Sequence, residues 1–595
     1  MKNRIKQYLL AASMCVGLTA CSDFFEPIPG VQFGLDETFA SKQRTEEYLN
    51  NVYSYVREVT DAIHPNTYGG IFTEASLDGA NRWNKTYAEW TNGSFNSASA
   101  QASEYFSKYY QAIAKASTFI QNVDKCTEAA ASTRGKWKSE ARALRAYYYF
   151  ELLRLYGPIP LIGEDPIPLD ASLEELIKER NSVDECVNFI ATELQSAIDS
   201  GDLLQRAGKA NLGRMDVATC MALKAKLYLY WASPLFNGNT DQASVKNKDG
   251  KQLFPQTEDH SKWTQARDAY ERFMTFATGQ GYKLTEVYTN GKLDPYASCR
   301  AAGEFFTTTW EAVDELIFVK LRDLYDYTYW VCPKFTDFQD TDVTGGGGYY
   351  TTQETVDLFF TKDGLTIEED PGYDKFEGVP GANNFTSGRY YDPNNPSRLY
   401  FDADKSKVLK QWKDREPRFY VNITYSGSIW LNEGKYNEEM RTDFTNGANG
   451  TCGKSKASGD CPDSGYLIRR GAKASNNNGS KHFSPVLRLA DMYLGYAEAL
   501  CMCSDLDNAL TYLNKIRVRA GIPEYTFTAT AGKITCPKTQ TDLLNRIRRE
   551  RLVELVFEWN RYFDVRRWKV AEGQNDPEHW IYPAYHTGGE GGKVY

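Results

Sequence analysis

In EARALRAYYYFELLRLYGPIPL, residues 140 to 161, apolar side chains recur at Ala141, Leu144, Tyr148, Leu152 and Leu155. Steps of three and four put them on one face of a helix, and Gly157-Pro158 predicts where that helix stops. The same texture runs through Ser182 to Ile198, Val217 to Trp231, and WTQARDAYERFMTFA from Trp263. Near the end, VLRLADMYLGYAEALCMCSDLDNALTYLNKIRVRAG reads as two helices joined at Ser504-Asp505. Ala497, Ala499, Ala509 and Leu513 supply small contacts where such helices pair closely, as in a tetratricopeptide-type hairpin.

From about residue 281 to 484 the pattern changes. A glycine run at 345–348, GVPGANN, DPNNP and ASNNNGS punctuate short strand-like stretches such as ELIFVKL and RFYVNITY. The expected fold is therefore mostly α: a tetratricopeptide-like helical hairpin scaffold with a loop-rich irregular subdomain inserted. Its predicted parts are a helical part at 43–280, the insertion at 281–484, and a C-terminal helical part at 485–595 that completes the scaffold.

The N-terminus has a different pattern. Lys2, Arg4 and Lys6 precede an apolar run from Tyr8 to Leu18, 11 residues long and too short to span a bilayer. That is the layout of a secretory signal. Cys21 follows it as a candidate disulfide half, a structural thiol or a lipid attachment site. Leu18-Thr19-Ala20-Cys21 fits the bacterial lipobox, so residues 1–20 are expected to be a lipoprotein signal peptide and 21–42 a lipidated tether. No later stretch has the apolar length of a spanning helix.

Composition narrows the function classes. The net charge of -9, from 69 basic and 78 acidic residues without a basic block, argues against nucleic acid. Aromatics make up 14%, among them 40 Tyr and 12 Trp, which suggests contact surface as well as core. The five histidines form no HExxH pair, and the cysteines lack metal-site spacing. Cys452 and Cys461 flank a loop and are the disulfide candidate of an exported chain. Glu550, Glu554 and Glu558 stand one helical turn apart among five arginines, which predicts ion pairs rather than catalysis. ANGTCGKS matches a relaxed P-loop, but no strand leads in and no apolar helix follows. The expectation is no cofactor; Asp337, Asp340 and Asp342 have calcium-type chemistry but lack the EF-hand glycine and terminal glutamate.

CSDFFEPIP after the lipobox, EARALRAYYYFELLRLYGPIPL, RNSVDECVNFIATELQSAI, GRMDVATCMALKAKLYLY, VLRLADMYLGYAEAL and RRERLVELVFEWNRYFDVRRW together resemble the SusD/RagB family. The resemblance runs from the lipobox to about Lys569. It implies a lipid-anchored outer-membrane protein facing the exterior, a SusC-like TonB-dependent transporter as partner, and a role as hinged lid that captures a nutrient. The nutrient is a glycan in most such proteins and a peptide in some; they are binding proteins, not enzymes. A surface glycoside hydrolase is the alternative of another class, and would need two carboxylates facing a cleft.

A glycan site needs aromatic platforms beside amide, carboxylate or guanidinium partners. GANRWNKTYAEWTNG offers Trp83, Tyr87 and Trp90 among Asn81, Arg82 and Asn92, although the same aromatics at i, i+4 and i+7 could be the buried stripe of a short helix. In LRDLYDYTYWV, Tyr325, Tyr327 and Tyr329 alternate with Asp326, Thr328 and Trp330, the period of an extended segment. The resemblance places this central segment opposite the N-terminal loop, so that Tyr325, Tyr329 and Trp330 complete the platform.

Overall fold

The computed structural model describes residues 34–57, 71–76, 78–81, 96, 98–168, 171–303, 313–323, 325–335, 345–374, 380–430, 440–444, 452, 460–472 and 481–570. The predicted helices are all present. Ala131–Tyr156 ends at Gly157, whose φ of 72° suits a residue without a Cβ. Val183–Asp199 starts on a capping box between Ser182 and Glu185, and Val217–Ala232 starts on the Asp216 carboxylate, which accepts from the Thr219 amide.

These helices pack in sequence, each against the next. Ala100–Asn122 lies on Ala131–Tyr156, which packs on Val183–Asp199; that helix meets Val217–Ala232, which meets Ser261–Gly279, which in turn meets Leu489–Met502. Leu489–Met502 and Leu506–Ala520 form the predicted hairpin, turning through Ser504 with φ of 63°. Ala497, Ala499, Ala509 and Leu513 are fully buried in it. The scaffold is mostly α and tetratricopeptide-like. Its helix opens at Leu489, later than the sequence pattern suggested, because Val486-Leu487-Arg488 closes the strand Lys481–Arg488.

That strand pairs antiparallel with Leu316–Asp323, so the backbone leaving the helical half and the backbone returning to it lie side by side. ELIFVKL is thus a strand as predicted. RFYVNITY is only partly one, since Pro417–Asn422 is helical and Ile423–Tyr425 extended. A four-stranded sheet, in the order Ala80–Asn81, Tyr349–Tyr350, Tyr466–Ile468 and Ile423–Tyr425, draws together four distant stretches of chain. One apolar core runs from Phe39 to Val570 through scaffold and middle region alike. No disulfide forms among the described residues; Cys452 and Cys461 are buried.

The C-terminal glutamates sit inside this core. Arg488 donates to Glu315 at 2.8 Å, to Glu554 at 2.7 Å and to Glu558 at 2.8 Å. Arg418 reaches Glu416 at 2.6 Å, Glu550 at 2.6 Å and Glu554 at 3.2 Å, while Arg517 holds Glu550 at 3.0 Å. Arg519 bridges Glu315 and Glu554, and Arg470 binds Glu558. Burial alone would push the Glu554 carboxyl up; Arg519, Arg488 and Arg418 outweigh it and hold it well below the usual carboxylate range. Buried and paired with arginines, these carboxylates are cross-ties between the middle region and the scaffold.

Candidate ligand-binding site

The two candidate segments converge on one strand. Ala80 pairs with Tyr350 and Asn81 with Tyr349 in antiparallel register. Four residues earlier in the chain, the glycine run lies across the end of the Tyr325–Val331 helix: the Gly346 amide donates to the Tyr329 carbonyl at 2.8 Å, Gly347 to Cys332 at 2.9 Å and Gly348 to Trp330 at 3.1 Å. Gly345 and Gly346 leave no room for a side chain. A Cβ on Gly345 would lie 2.4 Å from the carbonyl oxygens of Tyr329 and Cys332, and one on Gly346 would lie 2.6 Å from the Trp330 ring.

Tyr325 to Val331 is therefore a helix, where the alternating sequence suggested an extended segment. The orphan carbonyls at its C-terminus are satisfied by amides from the glycine run, a cap supplied from elsewhere in the sequence and invisible to local periodicity. The two-faced character survives in helical form. Tyr327 points inward, its hydroxyl on the Arg470 carbonyl and its ring edge-on to Tyr349 at 6.4 Å. Tyr329 and Trp330 are half-buried, with ring centroids 5.0 Å apart and planes crossed at 82°. The Tyr325 side chain lies outside the described residues.

In the N-terminal segment, the Asn81 backbone is the outer strand of the sheet. The Asn81 side chain and Arg82, Trp83, Tyr87, Trp90 and Asn92 lie outside the described residues, as do Cys21, Lys454, Ser455, Asp337, Asp340 and Asp342. No cluster of three or more His, Cys, Asp or Glu among the described residues is arranged to hold a metal.

The base of the segment is pinned by charges that the sequence did not single out. Asp78, three residues before Asn81, is buried and pairs with Arg561 at 3.1 Å; Arg561 also binds Glu354 at 2.6 Å and the Thr355 hydroxyl at 3.2 Å. The Thr351 hydroxyl donates to the Asp78 carbonyl at 2.6 Å. Burial pushes the Asp78 carboxyl up to about 6, with Arg561 opposing it. GGGGYY read only as a loop, but a strand-forming Tyr pair directly after a side-chain-free run was the available sign that two segments meet there.

The arrangement offers a crossed aromatic pair, a strand that reaches it through the glycine run, and rigid support. The Glu550, Glu554 and Glu558 carboxylates are sealed by arginines and supply no acid–base pair to a cleft.

Two family models match the chain. The model described as SusD family covers residues 315–588, and the one described as "Starch-binding associating with outer membrane" covers 32–229. A SusD-like protein of Bacteroides ovatus is 27% identical over 175 residues, which is 28% of this chain and only 30% of that relative's length. Among solved structures, BT4246 is 25% identical, with a TM-score of 0.69 over 89% of this chain and 90% of that one. A structure titled "Laminarin binding SusD-like protein" shares the fold at 18% identity, TM-score 0.51, over 92% of this chain and 95% of that one. By the two family matches and the likeness to these SusD-like proteins, the chain belongs to the SusD/RagB family.

Proposed function

We propose that this chain is a lipid-anchored cell-surface protein that binds a nutrient glycan and acts as the lid of a SusC-like TonB-dependent outer-membrane transporter. The observation that carries the ligand half is the meeting of the Asn81 strand with the half-buried Tyr329–Trp330 pair through the glycine run. A sugar ring stacks an apolar face on such aromatics and offers its hydroxyl rim to amides. Trp330, Tyr329 and Tyr325 form one side of the platform, and Asn81, Arg82, Trp83, Tyr87, Trp90 and Asn92 the other.

The lipobox ending at Cys21 supports anchoring, and the description of the model matching residues 32–229 supports both starch-type ligands and the outer membrane. No described helix is long and apolar enough to cross a membrane, so a lid of this kind relies on its lipid and on the transporter's channel. The sealed glutamates favour binding without catalysis.

Affinity electrophoresis against a polysaccharide panel tests the ligand. Retardation by at least one glycan, without release of reducing sugar, is expected. Binding of peptides but of no glycan defeats the glycan reading, and sugar release defeats the binding-only reading. Co-purification of a TonB-dependent transporter from host membranes tests the lid.

A further inference from the structure

A groove of about 440 Å³ lies between the Ala100–Asn122 helix and the 158–178 stretch. Phe106, Ile113, Ile162, Ile167, Leu176 and Ile177 line it, and Lys178 stands at its rim. Its walls are built rather than loose. The Tyr110 hydroxyl donates to the Pro160 carbonyl at 2.6 Å, and the Tyr149 hydroxyl both donates to the Ile162 carbonyl at 2.7 Å and accepts from the Ile162 amide at 3.0 Å. Yet Leu176 is 52% and Ile177 69% exposed, an apolar lip facing water.

We infer that this groove receives the chain's own segment Phe24 to Phe33, which clamps the N-terminal tether to the body. The segment, FFEPIPGVQF, carries Phe24, Phe25, Pro27, Ile28, Pro29, Val31 and Phe33. So apolar a stretch has the same need for cover as the lip it would meet. A space of about 440 Å³ takes two or three of its side chains.

Reach is sufficient. The described fold begins at Gly34, and the next helix is tied to the far end of the groove helix by the Asp36–Lys125 ion pair at 2.7 Å and by Phe39 against Phe119 at 5.7 Å. From there the groove helix runs about 24 Å back to Phe106, whereas residues 25–33 extended span about 30 Å. Proline at 27 and 29 disfavours a helix there, and a shallow groove accepts an extended segment.

In the lid reading above, the clamp leaves only residues 21–23 between lipid and body, a tether of about 10 Å. The test needs neither glycan nor transporter, so its failure and theirs are separate. In full-length protein, Phe25 is replaced by photoreactive benzoylphenylalanine and irradiated at high dilution. Cross-links within one chain to peptides 106–117 or 160–178 are expected; cross-links to another surface, to a second copy, or to nothing overturn the inference. A second measurement uses Ile177→Glu, at a position exposed enough to leave folding intact. Amide hydrogen exchange in 24–33 should quicken about tenfold or more with an unchanged melting temperature. Equal exchange in both proteins overturns the inference.

Discussion

Asn81 stands opposite Tyr349 in an antiparallel pair, and Tyr349 follows directly on the glycines whose amides cap the Tyr329–Trp330 helix. One short backbone path therefore fixes the N-terminal segment relative to the central aromatics. Buried charges lock it from beneath, because Arg561 binds both Asp78, at the base of the Asn81 strand, and Glu354, on the helix after Tyr350. The candidate site is a junction of segments far apart in sequence, held by a buried framework.

Gly346→Ala tests that junction. Its Cβ would meet the Trp330 ring at 2.6 Å and the Tyr329 ring at 2.8 Å, so the aromatic pair has to move. We expect a stability loss of about 1–3 kcal/mol and clearly weakened retention in a glycan affinity gel. Gly279→Ala, with open space around its Cβ, should change neither. Unaltered retention by the Gly346 variant would show that the pair does not contact the ligand.

Trp330→Ala removes half of the crossed pair without opening the core, since Trp330 is only half-buried. Affinity for the bound glycan should fall about ten- to hundredfold by calorimetry, the effect of losing a central aromatic anchor. Peptide binding, if present, should barely change.

The helical half was legible because its information is local. Apolar steps of three and four, Ser182 with Glu185, Asp216, and Gly157 before Pro158 each act within a turn or two of chain. The Glu550–Glu554–Glu558 line was also legible as ion pairs, but not its partners, since Arg418, Arg488, Arg519 and Glu315 come from other segments. The same limit explains the 325–331 helix. Its tyrosine alternation looks extended, and what ends it as a helix is a set of glycine amides about 15 residues downstream. The site's convergence depends on such long-range partners, so only its aromatic composition could be read.

Arg488→Met probes the buried network. The substitution leaves Glu315, Glu554 and Glu558 with one cation fewer in a buried setting. A loss of about 3–5 kcal/mol is expected, read as a lower urea midpoint or as insoluble expression. The double change Arg488→Met with Glu558→Gln should recover part of it, because one stranded charge is removed. A single variant as stable as the wild type would mean that the network contributes no net stability.

Asp78 gives the chain a pH signature with a definite sign. Folded, its carboxyl holds its proton up to about pH 6, against about 3.9 when unfolded, so between these values the native state binds more protons. Stability from this group therefore falls as pH rises from about 4 to about 6 and is level above. The two-unit displacement corresponds to about 3 kcal/mol. Glu554 and Asp491 act in the opposite sense: held well below the usual range despite burial, they contribute fully at neutral pH and lose their contribution only as acid reaches their low folded values. Asp216 is pushed up to about 6 as well, chiefly by burial, so the wild-type slope alone does not isolate Asp78. Asp78→Asn does, since it keeps a hydrogen-bonding oxygen towards Arg561 and removes the titration. Urea unfolding from pH 4 to 7.5 should show the variant gaining on the wild type as pH rises through 4 to 6. A wild-type-minus-variant difference that stays constant across that window would mean that Asp78 is already ionised in the folded chain at pH 4, and that Arg561 fully offsets its burial.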